Sequence, residues 1–413
     1  MTNYFSLNWF IIKGAGLYIP PKSSKPSTKM IYLIHNSFCL IYSCVIFTLC
    51  EVLEFGKFSS NLPSMIKIAN MVMTDFLGDL KAILWFWNKK RIQKIMETLN
   101  SYSQIYKPYK DFIPEKIIEK ERKIKDLITI SYLVIGISVS LSACVMSFKD
   151  LILSDYQKEN FNLSLPYSSF IPFNYKKSKI NFGFAILFQL FPVYNFAYVF
   201  IGFDTTYMGI ISYISAHLQI IQGAFKTLRE RCLMELNIKA INNKVFNNQL
   251  KNPLKLQREM DKEINKITNH LQVILEISKE IESIYTLVVL CQTIVSLIVL
   301  CTCLYMISLV EAFSLESAKE LAYMSAVGCQ TFLYCYFGNK VRISSEMLPL
   351  AIYSMDWLST TTSFKRTMII NMIRMQKGIY FTIGKFTPLT LSTFVQILRG
   401  SYSVFAVLKN SSS

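Results

Sequence analysis

The last apolar stretch of the chain, Lys385–Leu408, carries polar side chains at the spacing of helical turns. Gln396, Gly400, Ser403 and Val407 follow at intervals of three or four residues, so they share one helix face. Ser403 and Gln396 can hydrate a passing cation, and a ring of Val407 side chains can close a narrow pore by dewetting. The residues alone leave open an ordinary buried helix, whose hydroxyl groups bond to its own carbonyl groups.

Residue types that carry enzymatic chemistry are few and scattered. The 3 histidines are His35, His217 and His270, and no His, Cys, Asp or Glu cluster has the spacing of metal ligands. No glycine-rich phosphate loop appears, and the 10 cysteines form no disulfide framework. The sequence therefore predicts no catalytic residue, no metal site and no cofactor, so we do not expect an enzyme.

Composition indicates a membrane protein with several spans. Of the 413 residues, 52% are hydrophobic and only 17% are charged, against roughly 25% charged residues in soluble domains. We predict an all-α polytopic fold with seven transmembrane helices, each needing about 20 residues to cross the hydrocarbon core.

The distribution of lysine and arginine predicts the orientation. Alternate loops contain 33 of these residues on one side and 8 on the other, and positively charged loops stay in the cytoplasm. The N-terminus is therefore predicted to be cytoplasmic and the C-terminus extracellular. Because the net charge of +17 then belongs to cytoplasmic loops, we expect no nucleic-acid partner. Asn162 and Asn410 would lie outside the cell as N-glycosylation acceptors.

The predicted organisation has seven parts. They are a cytoplasmic N-terminus (1–29), transmembrane helices one to four forming a ligand-binding bundle (30–225), a cytoplasmic loop with anchor helices (226–284), helices five and six (285–338), further cytoplasmic anchor helices (339–384), a pore-lining seventh helix (385–408) and an extracellular C-terminus (409–413).

Two of the predicted helices are much longer than a bilayer is thick. The fourth runs from about Asn181 to Lys226, which is about 69 Å at 1.5 Å per residue, against a core of about 30 Å. It must either break near Gly202 or project into the cytosol. The fifth, from about Leu256 to Leu309, is similarly long. Both lengths predict a packed helical anchor domain below the membrane.

Several motifs in the last fifth of the chain resemble those of insect odorant receptors. They are the sixth-span run Gln330–Asn339 (QTFLYCYFGN), then Ser345-Glu346, Tyr353 and Trp357, and the ending Ser401–Leu408 (SYSVFAVL). Val404 departs from the second tyrosine of that family's terminal motif. His270 on the long fifth helix also fits. The sister gustatory receptors end with a Gln-Phe pair, which this chain lacks.

This resemblance implies an odorant-gated, non-selective cation channel in the plasma membrane of sensory-neuron dendrites. In that family four subunits surround one pore lined by the seventh helices, and a tuning subunit assembles with a common co-receptor. The co-receptor has a longer second cytoplasmic loop, so this chain resembles a tuning subunit. Val407 matches the position of the family's valine gate. The expected partners are the co-receptor, membrane lipid and a small volatile organic ligand.

The resemblance also places the ligand site in the outer half of the bundle, among the second, third, fourth and sixth helices. Such a site should be apolar and nearly closed, with one or two polar groups. The outer halves offer twelve candidates: Met71, Met73, Phe76, Ser138, Leu141, Ser142, Phe191, Tyr194, Tyr198, Tyr323, Met324 and Val327. Each of these residues, taken singly, could equally serve core packing.

Three charged residues within the predicted spans have no assigned partner. Asp75 and Asp79 are four residues apart and share a helix face, so one of them is either protonated or paired across the bundle. Arg399 should point away from a cation path, because a ring of arginines would repel cations.

Two other kinds of membrane protein remain as alternatives. A gustatory-receptor-like channel would act without the co-receptor, and a transporter would usually show internal repeats or paired broken helices. No repeat is visible in the sequence.

Overall fold

A computed structural model describes residues 4–20, 24–55, 62–153, 165–167, 169–236, 254–311 and 314–411. The helices are α1 (Ser6–Gly14), α2 (Pro26–Cys39), a π-helical segment (Leu40–Phe47), α3 (Thr48–Phe55), α4 (Leu62–Ser101), α5 (Pro114–Leu153), α6 (Lys179–Lys226), α7 (Leu228–Glu235), α8 (Leu254–Leu309), α9 (Leu315–Glu346), α10 (Leu348–Tyr353), α11 (Thr362–Gln376) and α12 (Leu391–Ser411). Short 3₁₀ turns cover Tyr102–Gln104 and Tyr175–Lys177, and two strands, β1 (Thr382–Ile383) and β2 (Thr387–Pro388), pair antiparallel.

Seven long helical units form the bundle: the continuous α2–π–α3 unit, α4, α5, α6, α8, α9 and α12. Among the described residues, five are long and apolar enough to cross a bilayer. They are Pro26–Phe55, Pro114–Ser142, Lys179–Lys226, Leu254–Leu309 and Leu391–Asn410. The other two, α4 and α9, carry charged side chains, of which α4 buries Asp75 and Lys81 against its neighbours. The predicted all-α architecture with seven long helices is confirmed.

Helix α6 lies at the centre of the fold. It runs without a break through Pro192 and Gly202, and nearly every side chain from Ile201 to Leu218 is buried. A helix that is apolar all round must be covered on every side. Neighbouring helices α4, α5, α8 and α9 pack around it. Of the two possibilities that the sequence left open, a broken or a projecting helix, the continuous one is observed.

The N-terminal helix α1 packs against α6. Phe5, Ile11 and Ile12 are fully buried. The Asn8 side chain donates to the Thr205 hydroxyl at 3.0 Å, while Lys125 Nζ donates to the Tyr4 carbonyl at 2.7 Å. These contacts tie the first described residues to the middle of α6.

The far half of α6 joins the first half of α8, α10 and α11 in one packed region, which the sequence predicts to lie in the cytosol. His270 Nε2 lies 3.1 Å from His217 Nδ1, and the Tyr106 hydroxyl lies 3.1 Å from His270 Nδ1. Burial lowers the pKa of His217 to about 3 and that of His270 to about 2, because a charged imidazole loses its hydration there. The lone histidine of the fifth helix is therefore an interior, neutral group.

The seventh long helix begins at Leu391 rather than at Lys385. A tight hairpin precedes it, with Gly384 at φ 59° and Lys385 at φ 67°, and Pro388 lies in its second strand. Two left-handed residues and a proline cannot continue an α-helix, so the polar start of the stretch is a turn. Thr382 donates to Glu282 of α8 at 2.6 Å, which holds the hairpin against the bundle.

Candidate functional site

A cavity of about 540 Å³ lies between α4, α5, α6 and α9. The lining stretches are the start of α4, the end of the apolar part of α5, the middle of α6 and the first half of α9, with residues 165–167 along one side. All four helices contribute the portions that the predicted orientation puts in the outer half of the membrane. Most of the wall is apolar, with a small number of polar groups, as in other small-molecule sites.

The twelve residues expected from the sequence, all of which the structure describes, divide into two groups. Met71, Ser142, Tyr323 and Val327 line the cavity. Tyr323 is also fixed in place, because its hydroxyl lies 2.6 Å from that of Thr74 on the neighbouring helix. Methionine and aromatic side chains suit a pocket that adapts to the shape of its ligand.

The other eight lie away from this cavity. Phe76, Ser138 and Leu141 are exposed on the outer surface, and Phe191 lies in a shallow groove with Phe38 and Tyr42. The remaining four residues are half-buried at other places in the bundle: Met73, Tyr194, Tyr198 and Met324. Adjacent residues of a helix point about 100° apart, so residue type and approximate depth could not identify the face. Position 76 faces outward while position 75 lines the cavity.

The lining residues missed at the sequence level are mainly neighbours of those expected. They include Thr74, Asp75, Tyr132, Val139, Tyr167, Phe196, Phe200 and Gln330. One signal was available for Gln330, since it opens the sixth-span motif, and an interior glutamine in an apolar run needs a polar partner.

The inner end of the cavity is closed by a polar network around Asp204 of α6. Asp204 and Lys81 are both fully buried, and Lys81 Nζ donates to Oδ1 at 2.7 Å. Tyr334 donates to the same oxygen at 2.6 Å, whereas Gln330 and Tyr132 donate to Oδ2 at 2.5 and 3.3 Å. Four donors from three helices, α4, α5 and α9, therefore surround one carboxylate, and two of them, Tyr132 and Gln330, also line the cavity.

Helix α12 packs on its own bundle through one narrow stripe. Thr393, Ile397 and Ser401 are buried at intervals of four residues, and Ser401 donates to the Leu297 carbonyl of α8 at 3.4 Å. Buried positions on α12 end there. The helix surface beside and opposite this stripe is therefore uncovered in a single chain.

The predicted pore residues Gln396, Ser403 and Val407 all lie on this exposed face, with Val407 68% exposed. Ser403 bonds to the Arg399 carbonyl of its own helix. Arg399 is exposed as well, and its guanidinium has no ion-pair partner among the described residues of this chain. Asn410 is exposed in the last turn, and Asn162 lies outside the described residues.

No group of three or more His, Cys, Asp or Glu in the described part of the chain is placed to hold a metal ion. Each of the ten cysteines is a free thiol.

Comparison with known proteins gives a consistent result at three levels. A model of the seven-transmembrane odorant receptor family matches residues 61–402. Odorant receptor 2a of Drosophila melanogaster is 23% identical over 97% of this chain and 95% of its own length. Odorant receptor Or1 of Anopheles gambiae is 20% identical over 99% of this chain and 95% of its own length.

The fold is shared with a solved receptor. The insect olfactory receptor OR5 from Machilis hrabei in complex with eugenol superposes with a TM-score of 0.78, at 12% identity, over 99% of this chain and 98% of that chain. The same receptor alone superposes with a TM-score of 0.78 at 10% identity. The family match over most of the chain, the full-length relatives and the shared fold together establish that this protein belongs to the insect odorant receptor family.

Proposed function

We propose that this chain is the odorant-binding tuning subunit of a ligand-gated, non-selective cation channel that it forms with a co-receptor in the plasma membrane. The observation that carries the proposal is the uncovered face of α12. Gln396, Ser403 and Val407 face away from the bundle, and one helix cannot enclose water. A ring of subunits, each contributing this face, encloses a pore.

Within such a ring the three residues have different tasks. Val407 side chains form an apolar constriction that closes the pore by dewetting, while Ser403 and Gln396 lie one and three turns below and hydrate a passing cation. Arg399 has no acid to pair with in its own chain's described residues, so its partner lies on the neighbouring subunit.

The cavity between α4, α5, α6 and α9 holds the odorant. Burying a ten-carbon volatile at about 0.8 kcal/mol per CH₂ contributes roughly 8 kcal/mol before the costs of association. A gross contribution of this size corresponds to about micromolar affinity, and the costs of association weaken binding further, which suits a ligand that must also leave.

Helix α9 connects the two sites. Tyr323 and Val327 line the cavity, and the Phe332 ring packs edge-on against Phe394 of α12 at 5.5 Å between centroids. Further along, a Cβ at Gly338 would lie 2.5 Å from the Leu389 carbonyl oxygen, so glycine alone permits this approach. A ligand that fits the cavity better when α9 and α12 are displaced shifts the population to the open pore.

Co-expression with an odorant co-receptor, followed by current recording during exposure to a panel of volatiles, tests the proposal. The matched pair is Val407→Glu against Val395→Glu, the same change at an exposed valine of α12 about 120° away around the helix. We expect the first to alter cation permeability and block, and the second to alter them less. Unchanged permeability in Val407→Glu would remove Val407 from the pore.

Two further measurements separate the alternatives. Odorant-evoked current from the chain expressed alone would indicate a channel that works without the co-receptor. An epitope placed after Ser413 should stain in intact cells. Staining only after permeabilisation would reverse the orientation and would contradict the pore assignment.

A further inference from the structure

One acidic side chain reaches the wall of the ligand cavity without a donor. Asp75 of α4 lines the cavity and is only 4% exposed. No donor among the described residues bonds to its Oδ2 atom. Buried carboxylates normally accept two or more hydrogen bonds or an ion pair. The described residues therefore leave one oxygen of this carboxylate without a donor other than a neighbouring carboxyl group.

Two more carboxyl groups lie behind Asp75. Glu51 of α3 is fully buried, and its carboxyl group faces that of Asp75 closely enough for the two to share a hydrogen bond when one of them carries a proton. Asp79, one turn further along α4, accepts from the Thr48 hydroxyl at 3.3 Å. The charged groups that face Asp75 from the described elements packed against it are Glu51 and Asp79, so all are acidic.

The two lysines of the cavity wall are engaged elsewhere. Lys67 precedes Asp75 by eight residues on α4, which is about 12 Å along the helix, and lies 3.9 Å from Glu316. Lys319 Nζ donates to the Pro166 carbonyl at 3.3 Å. The described residues therefore place no cation at the Asp75 carboxylate. They also form no metal-binding group, so an organic cation fits better than a metal ion.

Aromatic rings surround the same space. Tyr167, Phe196, Phe200 and Tyr323 line the cavity together with Asp75. A carboxylate combined with aromatic faces is the arrangement that binds ammonium groups, through a charge-assisted hydrogen bond and cation–π attraction. The protein uses this arrangement internally at Lys81, whose Nζ lies 2.7 Å from Asp204 and 4.1 Å from the Phe200 ring centroid.

We infer that Asp75 is a specificity-determining residue of the cavity, and that the ligand class it selects is small volatile amines. The ammonium group binds the Asp75 carboxylate, and the hydrocarbon part lies against Val139, Val327 and the aromatic rings. This inference rests on the proposed function for the location of the ligand, but it makes a separate claim about ligand chemistry.

The experiment compares matched probes on the full chain. 2-Phenylethylamine and hexan-1-amine are tested against 2-phenylethanol, hexan-1-ol and ethylbenzene, by current from the co-expressed channel and by calorimetric binding to the purified detergent-solubilised chain. We expect the amines to bind more tightly than the hydrocarbon. Asp75→Asn should weaken amine binding about tenfold or more and change alcohol binding less than about threefold.

Asp79→Asn is the matched control, because Asp79 lies on the same helix and bonds to Thr48 but does not line the cavity. It should keep most of the amine affinity, and the melting temperature of each purified variant reports its folding. Amines that bind no better than ethylbenzene, or an Asp75→Asn variant with unchanged amine affinity, would overturn the inference. The carboxyl groups around Asp75 would then bind protons and not the ammonium group of a ligand.

The two readouts separate this inference from the proposed function. Amine binding that Asp75→Asn abolishes, without current from any probe, would sustain the inference and contradict the channel. Current evoked by the neutral probes, with no binding of either amine, would sustain the channel and contradict the inference.

Discussion

Two buried carboxylates in the same bundle differ in how many hydrogen-bond donors surround them. Asp204 is surrounded by four donors, including the fully buried Lys81. Asp75, only six residues before Lys81 on the same helix, has an oxygen with no donor among the described residues. The first group is complete within the fold and holds helices together. The second opens onto a cavity, where a molecule from outside can complete it.

The largest expected effect on stability comes from removing Lys81, the cation that pairs with Asp204. Lys81→Met leaves Asp204 buried without its cation, which typically costs about 3–5 kcal/mol. The apparent melting temperature of the purified protein and its surface expression should both fall. Adding Asp204→Asn in the double variant removes the stranded charge and should recover part of the loss. Equal stability of Lys81→Met and the parent would show that the pair does not hold the bundle.

A lysine introduced beside Asp75 should occupy the position that we propose for the ammonium group of the ligand. Met71 lies one helical turn before Asp75 on the cavity wall, so Met71→Lys brings an ammonium group to the carboxylate. We expect amine affinity to fall about tenfold or more, beyond the effect of Met71→Gln, which has similar length and no charge. Equal losses in the two variants would mean that the charge is not the cause.

The buried pair of His217 and His270 extends the comparison to titratable groups that are neutral in the folded protein. Burial lowers the pKa of His217 and His270 well below the unfolded value of about 6.5. The unfolded chain then binds protons that the folded chain does not, so stability is full above about pH 6.5 and falls as the pH decreases below it.

At pH 5.5 the expected loss is about 1 kcal/mol per histidine. His270→Gln should therefore reduce the fall in melting temperature between pH 7.5 and 5.5. The control is His35→Gln at an exposed position, for which the pH dependence should match the parent. A His270→Gln variant with the parent's pH dependence would contradict the neutral pair.

The smallest effect is expected at Asp75 itself. Asp75→Asn removes a buried carboxylate that faces other acidic groups, but it also alters the hydrogen bond with Glu51. These effects oppose each other, so the free energy of unfolding should change by less than about 1 kcal/mol. Asp204→Asn, which strands Lys81, should be clearly destabilising in the same melting assay. Similar losses in both variants would show that the hydrogen bond between Asp75 and Glu51 stabilises the bundle as strongly as the Lys81–Asp204 pair.

Helix lengths could be predicted from the sequence because they follow from continuous patterns. The overlong fourth and fifth helices were expected from about Asn181 to Lys226 and from about Leu256 to Leu309. They are found at Lys179–Lys226 and Leu254–Leu309. The start of the last helix was not predicted correctly. Lys385 has a positive φ in a hairpin, and the hydropathy of a stretch does not indicate such a backbone conformation.

The cavity was predicted at the level of helices but not of side chains. Its wall comes from the second, third, fourth and sixth long helices, as the family resemblance implied. Phe76 and Ser138 face outward, whereas Asp75 and Val139, one position away, line the cavity. Helix α6 is apolar all round, so its sequence pattern does not indicate which side faces the cavity.

The hairpin before α12 makes this helix a lever with its fulcrum at the Thr382–Glu282 bond. Sixteen residues separate Leu391 from Val407, which is about 24 Å of helix, and the buried stripe ends at Ser401. A tilt of about 5° at the pinned end therefore swings Val407 by about 2 Å. In the proposed ring of subunits the opposing tips would separate by about 4 Å, more than the roughly 2.8 Å width of a water molecule.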